Sequence, residues 1–349
     1  MADILIRKEG RAGRITLNRP QALNALTYDM CLAIDAALKD WRNDGDVALV
    51  ILDAAGDRAF CAGGDIAEMY ATGIAGDYGY GRRFWADEYQ LNARISEFPK
   101  PVVSLLQGFT MGGGVGVGCH GSHRIVGETS QIAMPECGIG LVPDVGGSLL
   151  LARAPGRLGE YLGTTGARMG PADAILAGFA DCYVPQAIWP GLVTGLIESG
   201  DISVMANAAT DPPIGKLAAL RPDIDRHFAG ETMGDILRSL RHCADAFAVE
   251  TLKAVSRPAP LSTASTVEMI HRLRGGSADM RRALDLEYRF TYRSMEHADF
   301  LEGIRAAIID KDRTPRWRHA SAEAVPAAEV SRILMPLGPN ALTFEETET

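Results

Sequence analysis

The sequence of 349 residues lacks the marks of several protein classes. Its six cysteines are scattered and follow neither a disulfide framework nor a zinc-ligand spacing, so we expect small buried thiols in a reducing compartment. No apolar run approaches the roughly 20 residues of a membrane-spanning helix, and the amino terminus has no signal-peptide pattern. These absences predict a cytoplasmic protein with no membrane partner.

Positive charge is also scarce. Lysine and arginine number 35 against 44 aspartates and glutamates, which gives a net charge of −9. Because nucleic-acid phosphates require a basic surface, we expect no nucleic-acid partner.

Several catalytic and cofactor-binding motifs are missing. There is no G-x-S-x-G nucleophile elbow, and no Gly-Lys-Ser/Thr follows the glycine-rich segment, which excludes a P-loop. Gly116–Gly121 formally matches G-x-G-x-x-G, but the preceding predicted strand ends about ten residues too early and no long helix follows. His120 and His123 lie near Cys119 and Cys137 without a known ligand spacing, so we expect no metal.

The chain does contain alternating strand and helix patterns. Ile4–Arg7 and Arg14–Asn18 read as a hairpin, and apolar spacing predicts a helix over Thr27–Arg42 with Thr27 as its N-cap. Continuous apolar runs predict buried strands at Val47–Leu52 and Val102–Leu106. This alternation predicts an α/β fold.

The composition changes toward the carboxyl terminus. We predict an α/β core over residues 1–200 and a mostly helical region over 201–349. Within the second region, 201–232 and 256–280 are richer in proline, glycine and serine, which predicts linkers.

Glycine is concentrated in TMGGGVGVG, which begins at Thr110. An interior glycine costs a helix or strand about 0.5–1 kcal/mol relative to alanine, so bare backbone must serve a purpose. One interpretation is close packing, especially at Gly116 and Gly118. The other is that the N–H groups of Gly112–Gly114, at a strand–helix junction, bind an oxygen that becomes negatively charged, as in half of an oxyanion hole.

A second glycine loop, AFCAGGDI at 59–66, offers another donor, the N–H of Gly64. Both loops follow predicted buried strands. If these strands are parallel neighbours, the loops lie at the same edge of the sheet.

Two carboxylates lie in the apolar, glycine-rich segment MPECGIGLVPDVGG. Apolar surroundings raise the pKa of Glu136 and Asp144, which suits acid–base or nucleophilic chemistry. The alternative for Asp144 is a helix cap, since a helix is predicted directly after it. Glu88, on a helix predicted over 81–98, reads from sequence alone as a solvated helix residue.

AFCAGGD, TMGGGVGVG and MPECGIGLVPDVGG together resemble the crotonase (enoyl-CoA hydratase/isomerase) superfamily over residues 1–185, and the resemblance resumes at 299–317. It implies a ββα spiral core, an acyl-CoA thioester substrate, and an oxyanion hole formed by the N–H groups of Gly64 and Gly113. Coenzyme A is then part of the substrate, so no separate cofactor is implied. Trimers and hexamers are the commonest assemblies of the superfamily, and the oligomeric state of this chain stays open.

The chain departs from the hydratases of that superfamily at two positions. One of their two glutamates corresponds to Gly116, while the other corresponds to Glu136. Asp144 stands where hydratases commonly carry glycine. This combination resembles a branch that hydrolyses 3-hydroxyisobutyryl-CoA, as in valine breakdown, and in that branch Glu88 matches a substrate-contacting glutamate. The resemblance thus implies that Glu136 and Asp144 are catalytic, and that Glu88, Gly113, Glu136 and Asp144 contact the substrate.

Rival functions remain at this stage. A hydratase or isomerase would have to use Glu136 without a glutamate at Gly116, and a non-catalytic acyl-CoA-binding protein would have no use for two costly buried acids. The phosphates of coenzyme A need cations, for which Arg58, Lys311 and Arg313 are candidates. All three residues are also typical of a solvated surface.

Overall fold

The computed structural model describes residues 2–275 and 277–345. Within these residues the strands are β1 (Ile4–Glu9), β2 (Ala12–Leu17), β3 (Leu49–Ala54), β4 (Ala59–Cys61), β5 (Val102–Leu106), β6 (Phe109–Met111), β7 (His123–Val126), β8 (Gln131–Ala133) and β9 (Cys182–Tyr183). The α-helices of the same residues are α1 (Tyr28–Arg42), α2 (Ala67–Ile74), α3 (Gly79–Ser96), α4 (Gly113–Gly118), α5 (Gly147–Arg153), α6 (Leu158–Thr165), α7 (Pro171–Leu176), α8 (Trp189–Ser199), α9 (Leu217–His227), α10 (Met233–Arg241), α11 (Ala246–Val255), α12 (Pro260–Leu273), α13 (Met280–His297), α14 (Phe300–Ile304) and α15 (Ala327–Ile333).

The backbone divides into two compact units. The first unit contains the chain up to Asp65, Gln90–Ala133 and Arg168–Ala218, and the second contains Ile66–Tyr89, Met134–Ala167 and the chain from Ala219 onward. All nine described strands belong to the first unit, and the regular elements described in the second unit are helices. The boundary near residue 200 drawn from composition stays a prediction, and residues 346–349 of its second region lie outside the described residues.

The first unit is built on a six-stranded sheet with the order β1-β2-β3-β5-β7-β9. β1 and β2 form an antiparallel hairpin with Ile4 opposite Leu17, and the other neighbours are parallel. The central strands are continuous apolar runs because parallel strands are covered on both faces. Apolar residues of α8, such as Trp189 and Leu196, pack in the same core as Ile51 and Val103. The α/β class is therefore confirmed.

A second sheet consists of three short parallel strands in the order β4-β6-β8, and its strands β4 and β6 were not predicted from the sequence. The sequence placed both glycine loops directly after β3 and β5. In the structure, β4 and β6 lie between those strands and the loops. Three residues are too few to show a two-residue period, so the pattern gave no signal for them.

The prediction of linkers at 201–232 and 256–280 was wrong, because each range contains an α-helix. α9 falls within 201–232 and α12 within 256–280, and α12 packs against α5 and α6. The composition of α12 was misleading because serine and threonine are common in loops, yet Ser262, Thr263, Ser265 and Thr266 are buried in it. Its proline lies at the first helical position, where the missing N–H costs nothing.

Several predicted elements are confirmed. The helix after Thr27 begins at Tyr28, and the Thr27 side chain accepts a hydrogen bond from the Met30 N–H at 3.2 Å. The strand over Val102–Leu106 has the predicted bounds. The predicted hairpin and the helix over 81–98 are present with ends shifted by at most two residues.

Candidate functional site

The two glycine loops follow neighbouring parallel strands of the small sheet. β4 pairs with β6, with Cys61 opposite Thr110. Gly64 follows β4, and Gly113 begins α4 directly after β6. The expectation that the two loops share one edge of a sheet is therefore met, although by a different sheet from the one predicted.

The N–H groups of Gly64 and Gly113 are not used by the described backbone. Leu26 and Gly64 form an isolated parallel β-bridge, in which Leu26 bonds to the residues on either side of Gly64. The Leu26 N–H donates to the Gly63 oxygen at 2.9 Å, and the Asp65 N–H donates to the Leu26 oxygen at 2.8 Å. In such a parallel bridge the N–H of the middle residue points away from the partner. Gly113 is the first residue of α4, where the helix supplies no acceptor for an N–H.

The other glycines of TMGGGVGVG have backbone and packing roles. Gly112 has φ +50°, a conformation that side chains disfavour. A Cβ on Gly114 would lie 2.1 Å from the Cys61 oxygen, and one on Gly118 would lie 2.6 Å from Leu106 Cδ2. The close-packing interpretation is confirmed at Gly118 and holds also at Gly114. Gly116 is buried and carries no carboxylate.

The acids singled out in the sequence lie in the second unit and are buried. Glu136 begins a 3-10 turn over Glu136–Ile139, Asp144 lies in the loop before α5, and Glu88 lies on α3. Their exposed fractions are 5%, 4% and 5% in that order. The interpretation of Glu88 as a solvated helix residue was wrong. Its spacing from Phe84 and Trp85 places it on the buried face of α3.

Asp144 interacts with acids and with a tyrosine that the sequence analysis missed. The Tyr89 hydroxyl donates a hydrogen bond to Asp144 Oδ2 at 2.8 Å. Burial and the negative charge of Asp144 raise the pKa of Tyr89 well above its usual range, so the hydroxyl keeps its proton. The alternative of Asp144 as a helix cap is not supported, because the N-cap of α5 is Gly146 and no side-chain cap bond forms there.

Burial dominates the electrostatics of these acids. Burial raises the pKa of Glu88 to about 8, and the Asp144 charge adds to this shift. Burial also raises the pKa of Asp144 to about 7, although the Tyr89 hydrogen bond opposes this shift. Burial and then the Asp144 charge raise the pKa of Glu136 well above its usual range. Glu88 Oε1 and Glu136 Oε2 are buried and have no hydrogen-bond partner within the described residues. Such atoms are available to a substrate or to water.

Glu287 on α13 is a fourth buried acid, and the sequence analysis missed it. Burial and the nearby Asp144 raise its pKa to about 8. A signal for it exists in the sequence, because Glu287 continues the apolar face of α13 at helical spacing. That face includes Met280, Ala283, Leu284, Phe290 and Thr291.

The candidate cations are exposed, and His120 and His123 belong to no group of metal-ligand atoms in the described part of the chain. Arg58, Lys311 and Arg313 make no ion pair within the described residues. The described group with three ligand atoms within 4.8 Å of one another is His227, Cys243 and Asp245, which does not include His120 or His123. In that group Arg226 Nη2 lies 3.1 Å from His227 Nε2 and 3.0 Å from Asp245 Oδ2. The arginine side chain therefore contacts two of the three residues.

Comparison with known proteins gives a consistent family. A family model described as enoyl-CoA hydratase/isomerase matches residues 12–334. The proteins named 3-hydroxyisobutyryl-CoA hydrolase, mitochondrial, of Gallus gallus and Homo sapiens are 37% and 36% identical to the chain. Each match covers 98% of the chain and 91% of the relative. The expectation of a cytoplasmic location stays a prediction, since these relatives carry a mitochondrial name.

Solved structures agree on the fold. A structure described as an enoyl-CoA hydratase from Rhodobacter sphaeroides is 62% identical, with a TM-score of 0.95, and the match covers 98% of this chain and 100% of that one. One described as a carnitinyl-CoA dehydratase from Mycobacterium thermoresistibile is 41% identical, with a TM-score of 0.94 over 99% and 100% of the two chains. Among residues 2–275 and 277–345, no helix combines the length and apolar character needed to cross a membrane. The chain belongs to the enoyl-CoA hydratase/isomerase family, the crotonase superfamily, and has its fold.

Proposed function

We propose that the protein hydrolyses an acyl-CoA thioester, and that its substrate is 3-hydroxyisobutyryl-CoA. The names of the relatives that are 36–38% identical over almost the whole chain support the substrate. Coenzyme A is then part of the substrate, and the reaction needs no further cofactor.

The observation that carries the proposal is the arrangement of Glu136 and Asp144. Both are buried, the Asp144 charge acts on Glu136, and Glu136 Oε2 has no partner within the described residues. A glutamate with a raised pKa and an open oxygen suits activation of water, or direct attack on a thioester carbonyl. In the second case the carboxylate displaces the thiolate of coenzyme A and water then cleaves the resulting anhydride.

The oxyanion of this reaction is assigned to the glycine loops. Attack on a thioester places negative charge on the carbonyl oxygen, and fixed N–H donors stabilise that charge. We propose the N–H groups of Gly64 and Gly113 as the two donors, because neither donates a hydrogen bond to a described backbone oxygen. Removing one such donor from an enzyme typically costs about 2.7–4 kcal/mol of transition-state stabilisation.

The substrate hydroxyl is assigned to Glu88 and Asp144. Glu88 Oε1 has no partner within the described residues, and Asp144 Oδ2 accepts the hydrogen bond of the Tyr89 hydroxyl. A buried carboxyl group that pairs with a hydroxyl discriminates strongly against a substrate that lacks it. The phosphates of coenzyme A are proposed to bind Arg58, Lys311 and Arg313.

Hydration of an enoyl-CoA is the second candidate, favoured by the name of the 62% identical solved structure. Against it stands Gly116, because addition of water to a double bond by an acid–base pair needs a second acid at that position. An isomerase can use Glu136 as a single base. A non-catalytic acyl-CoA-binding protein would be expected to avoid burying four acids.

A panel of acyl-CoA substrates separates these functions. Release of free thiol from 3-hydroxyisobutyryl-CoA supports hydrolysis, whereas hydration or double-bond migration without thiol release supports a hydratase or an isomerase. Saturable binding of the same thioesters with no turnover supports a binding protein. Either of the last two outcomes overturns the proposal.

A further inference from the structure

Glu287 is a buried carboxylate whose hydrogen-bond donors all lie on the segment that follows Asp144. Its Oε2 accepts a hydrogen bond from the Gly146 N–H at 2.8 Å. Its Oε1 accepts one from the Ser148 N–H at 3.1 Å and one from the Ser148 hydroxyl. The residue is 0% exposed, so these bonds are shielded from bulk water.

These bonds give α5 the cap that its own sequence lacks. The N-cap residue is Gly146, and no local side chain accepts a hydrogen bond from the first turn. The first N–H groups of a helix have no acceptor within the helix. Glu287 supplies that acceptor from α13, 139 to 141 residues away in the sequence.

The residue between Asp144 and Gly146 has a strained backbone. Val145 has φ +52° and is 1% exposed. A β-branched side chain strongly disfavours this conformation, which persists only where the surroundings fix the residues on either side. Here Glu287 holds the Gly146 N–H on one side, and the Tyr89 hydroxyl holds the Asp144 carboxylate on the other.

We propose that Glu287 is a positioning residue for Asp144: its bonds to Gly146 and Ser148 maintain the strained turn at Val145 and so direct the Asp144 carboxylate toward its working position. The proposal rests on the proposed function for the role of Asp144. It does not require that Glu287 touch the substrate.

Glu287 also acts on its neighbours through charge. The titratable groups that interact with it are Asp144, Glu136 and Tyr89, and Glu88 interacts with Asp144 in turn. None of the four carboxylates forms an ion pair within the described residues. Glu287 carries a negative charge above its pKa of about 8, and this charge raises the pKa of Glu136, so removal of the charge lowers the pKa of Glu136.

A merely structural buried glutamate exists in the same unit and serves as the matched control. Glu160 on α6 is also 0% exposed, but it is hydrogen-bonded to Arg157, Arg274 and His271, and these partners lower its pKa to about 2 against the effect of burial. Loss of Glu160 breaks a buried ion network without touching the segment of Asp144.

The test compares Glu287→Gln, Glu160→Gln and wild type by thiol release from 3-hydroxyisobutyryl-CoA across pH, at a temperature well below every Tm. The Gln amide nitrogen cannot accept a hydrogen bond, so the turn loses at least one of its bonds. We expect kcat to fall at least about tenfold with KM changed less than about threefold. The acidic limb of the kcat/KM profile should move to lower pH in Glu287→Gln and stay in place in Glu160→Gln.

Two further variants keep the test decisive if Glu287→Gln does not fold. Ser148→Ala removes one donor and keeps the Glu287 charge, so kcat should fall at least about threefold without a shift of the pH profile. Glu287→Asp keeps the charge with a shorter reach, and its acidic limb should match that of wild type. The proposal is overturned if every folded variant at position 287 has the wild-type kcat and an unshifted pH profile. It is also overturned if Ser148→Ala leaves kcat unchanged.

A readout without substrate separates this proposal from the proposed function. The crystal structure of Glu287→Gln, or of Ser148→Ala if the first does not fold, should show a changed φ at Val145 and a displaced Asp144 carboxylate. If wild type releases no thiol, the proposed function fails while the structure still reports on positioning. An unchanged turn and an unbroken bond between Tyr89 and Asp144 refute positioning even when wild type is an active hydrolase.

Discussion

At the scale of single residues, the proposed chemistry depends on carboxyl groups that are buried and that form no ion pair within the described residues. The charge of Asp144 acts on Glu136, and both acids have a pKa above the usual range because burial disfavours the ionised form. The same surroundings that make these acids costly to bury suit them to proton exchange in a reaction. Each acid therefore has a distinct and testable contribution.

Substitution of Glu136 tests the proposed base or nucleophile. Glu136→Gln keeps the size of the side chain and removes its charge, so we expect kcat to fall roughly 10²–10⁴-fold, the scale of a lost acid–base group. KM should change little if the group works mainly in the transition state. Steady-state thiol release measures both constants. Near-normal turnover in a folded Glu136→Gln protein eliminates Glu136 from this role.

Substitution of Asp144 tests recognition of the hydroxyl. In Asp144→Asn the amide oxygen can still accept the Tyr89 hydrogen bond, so the Tm should hold while kcat/KM falls at least about tenfold, or roughly 1.4 kcal/mol. The loss should shrink on isobutyryl-CoA, which lacks the hydroxyl. Tyr89→Phe is the matched control, since it removes the same hydrogen bond and keeps the acid. An unchanged rate for Asp144→Asn on the hydroxylated thioester contradicts the assignment.

At the scale of elements, the glycine-rich segment combines two requirements in nine residues. Gly112 and Gly113 form the turn and the free N–H at the start of α4, while Gly114 and Gly118 allow that helix to approach β4 and its neighbours. Helix propensity alone would exclude this sequence from a helix. The packing of α4 in the first unit compensates for the poor propensity.

The packing role of Gly114 can be measured apart from catalysis. A Cβ there would lie 2.1 Å from the Cys61 backbone oxygen, so Gly114→Ala should lower the free energy of unfolding by about 1–3 kcal/mol, as overpacking does. Gly195→Ala in α8 is the matched control, because its Cβ would meet nothing within 4 Å and alanine favours a helix. Denaturant unfolding compares them. Equal stability of the two variants would refute the close approach.

At the scale of the whole molecule, the buried acids link stability to pH. The folded-state pKa of Glu88 is about 8 and that of Glu287 is about 8, whereas an unfolded chain has the ordinary value near 4.5. Between these values the folded state binds more protons than the unfolded state, so stability decreases as pH rises. Each such group contributes a slope of up to about 1.4 kcal/mol per pH unit.

We therefore expect the free energy of unfolding to fall between pH 5 and pH 8. Glu88→Gln removes one of these groups, so the decrease should be smaller in the variant by at least about 1 kcal/mol. Glu198→Gln changes an exposed glutamate of α8 and should leave the decrease as in wild type. Urea unfolding at the two pH values measures the difference. Parallel behaviour of Glu88→Gln and wild type would show that Glu88 is not buried as an acid.

The sequence predicts the large elements and part of the site. Long segments such as Thr27–Arg42 show a helical period of apolar residues, which predicts them without knowledge of the fold. Both glycine loops and the two acids of MPECGIGLVPDVGG were also identified from the sequence. β4 and β6 escaped because three residues show no period. From the residues alone Glu88 was interpreted as solvated and Glu287 was not singled out, because an acid on a helix is normally solvated and only its register with apolar neighbours indicates burial. The family resemblance, not the residue pattern, marked Glu88 as a substrate contact.

The measurement that tests the central claim most directly compares two reactions in one sample of wild-type protein. We predict a kcat/KM for thiol release from 3-hydroxyisobutyryl-CoA that exceeds the kcat/KM for hydration of crotonyl-CoA by at least about a hundredfold, because Gly116 leaves Glu136 without the second acid that hydration uses. Free thiol and loss of the double bond are followed side by side. Rapid hydration of crotonyl-CoA with no thiol released from the hydroxylated thioester would contradict the account.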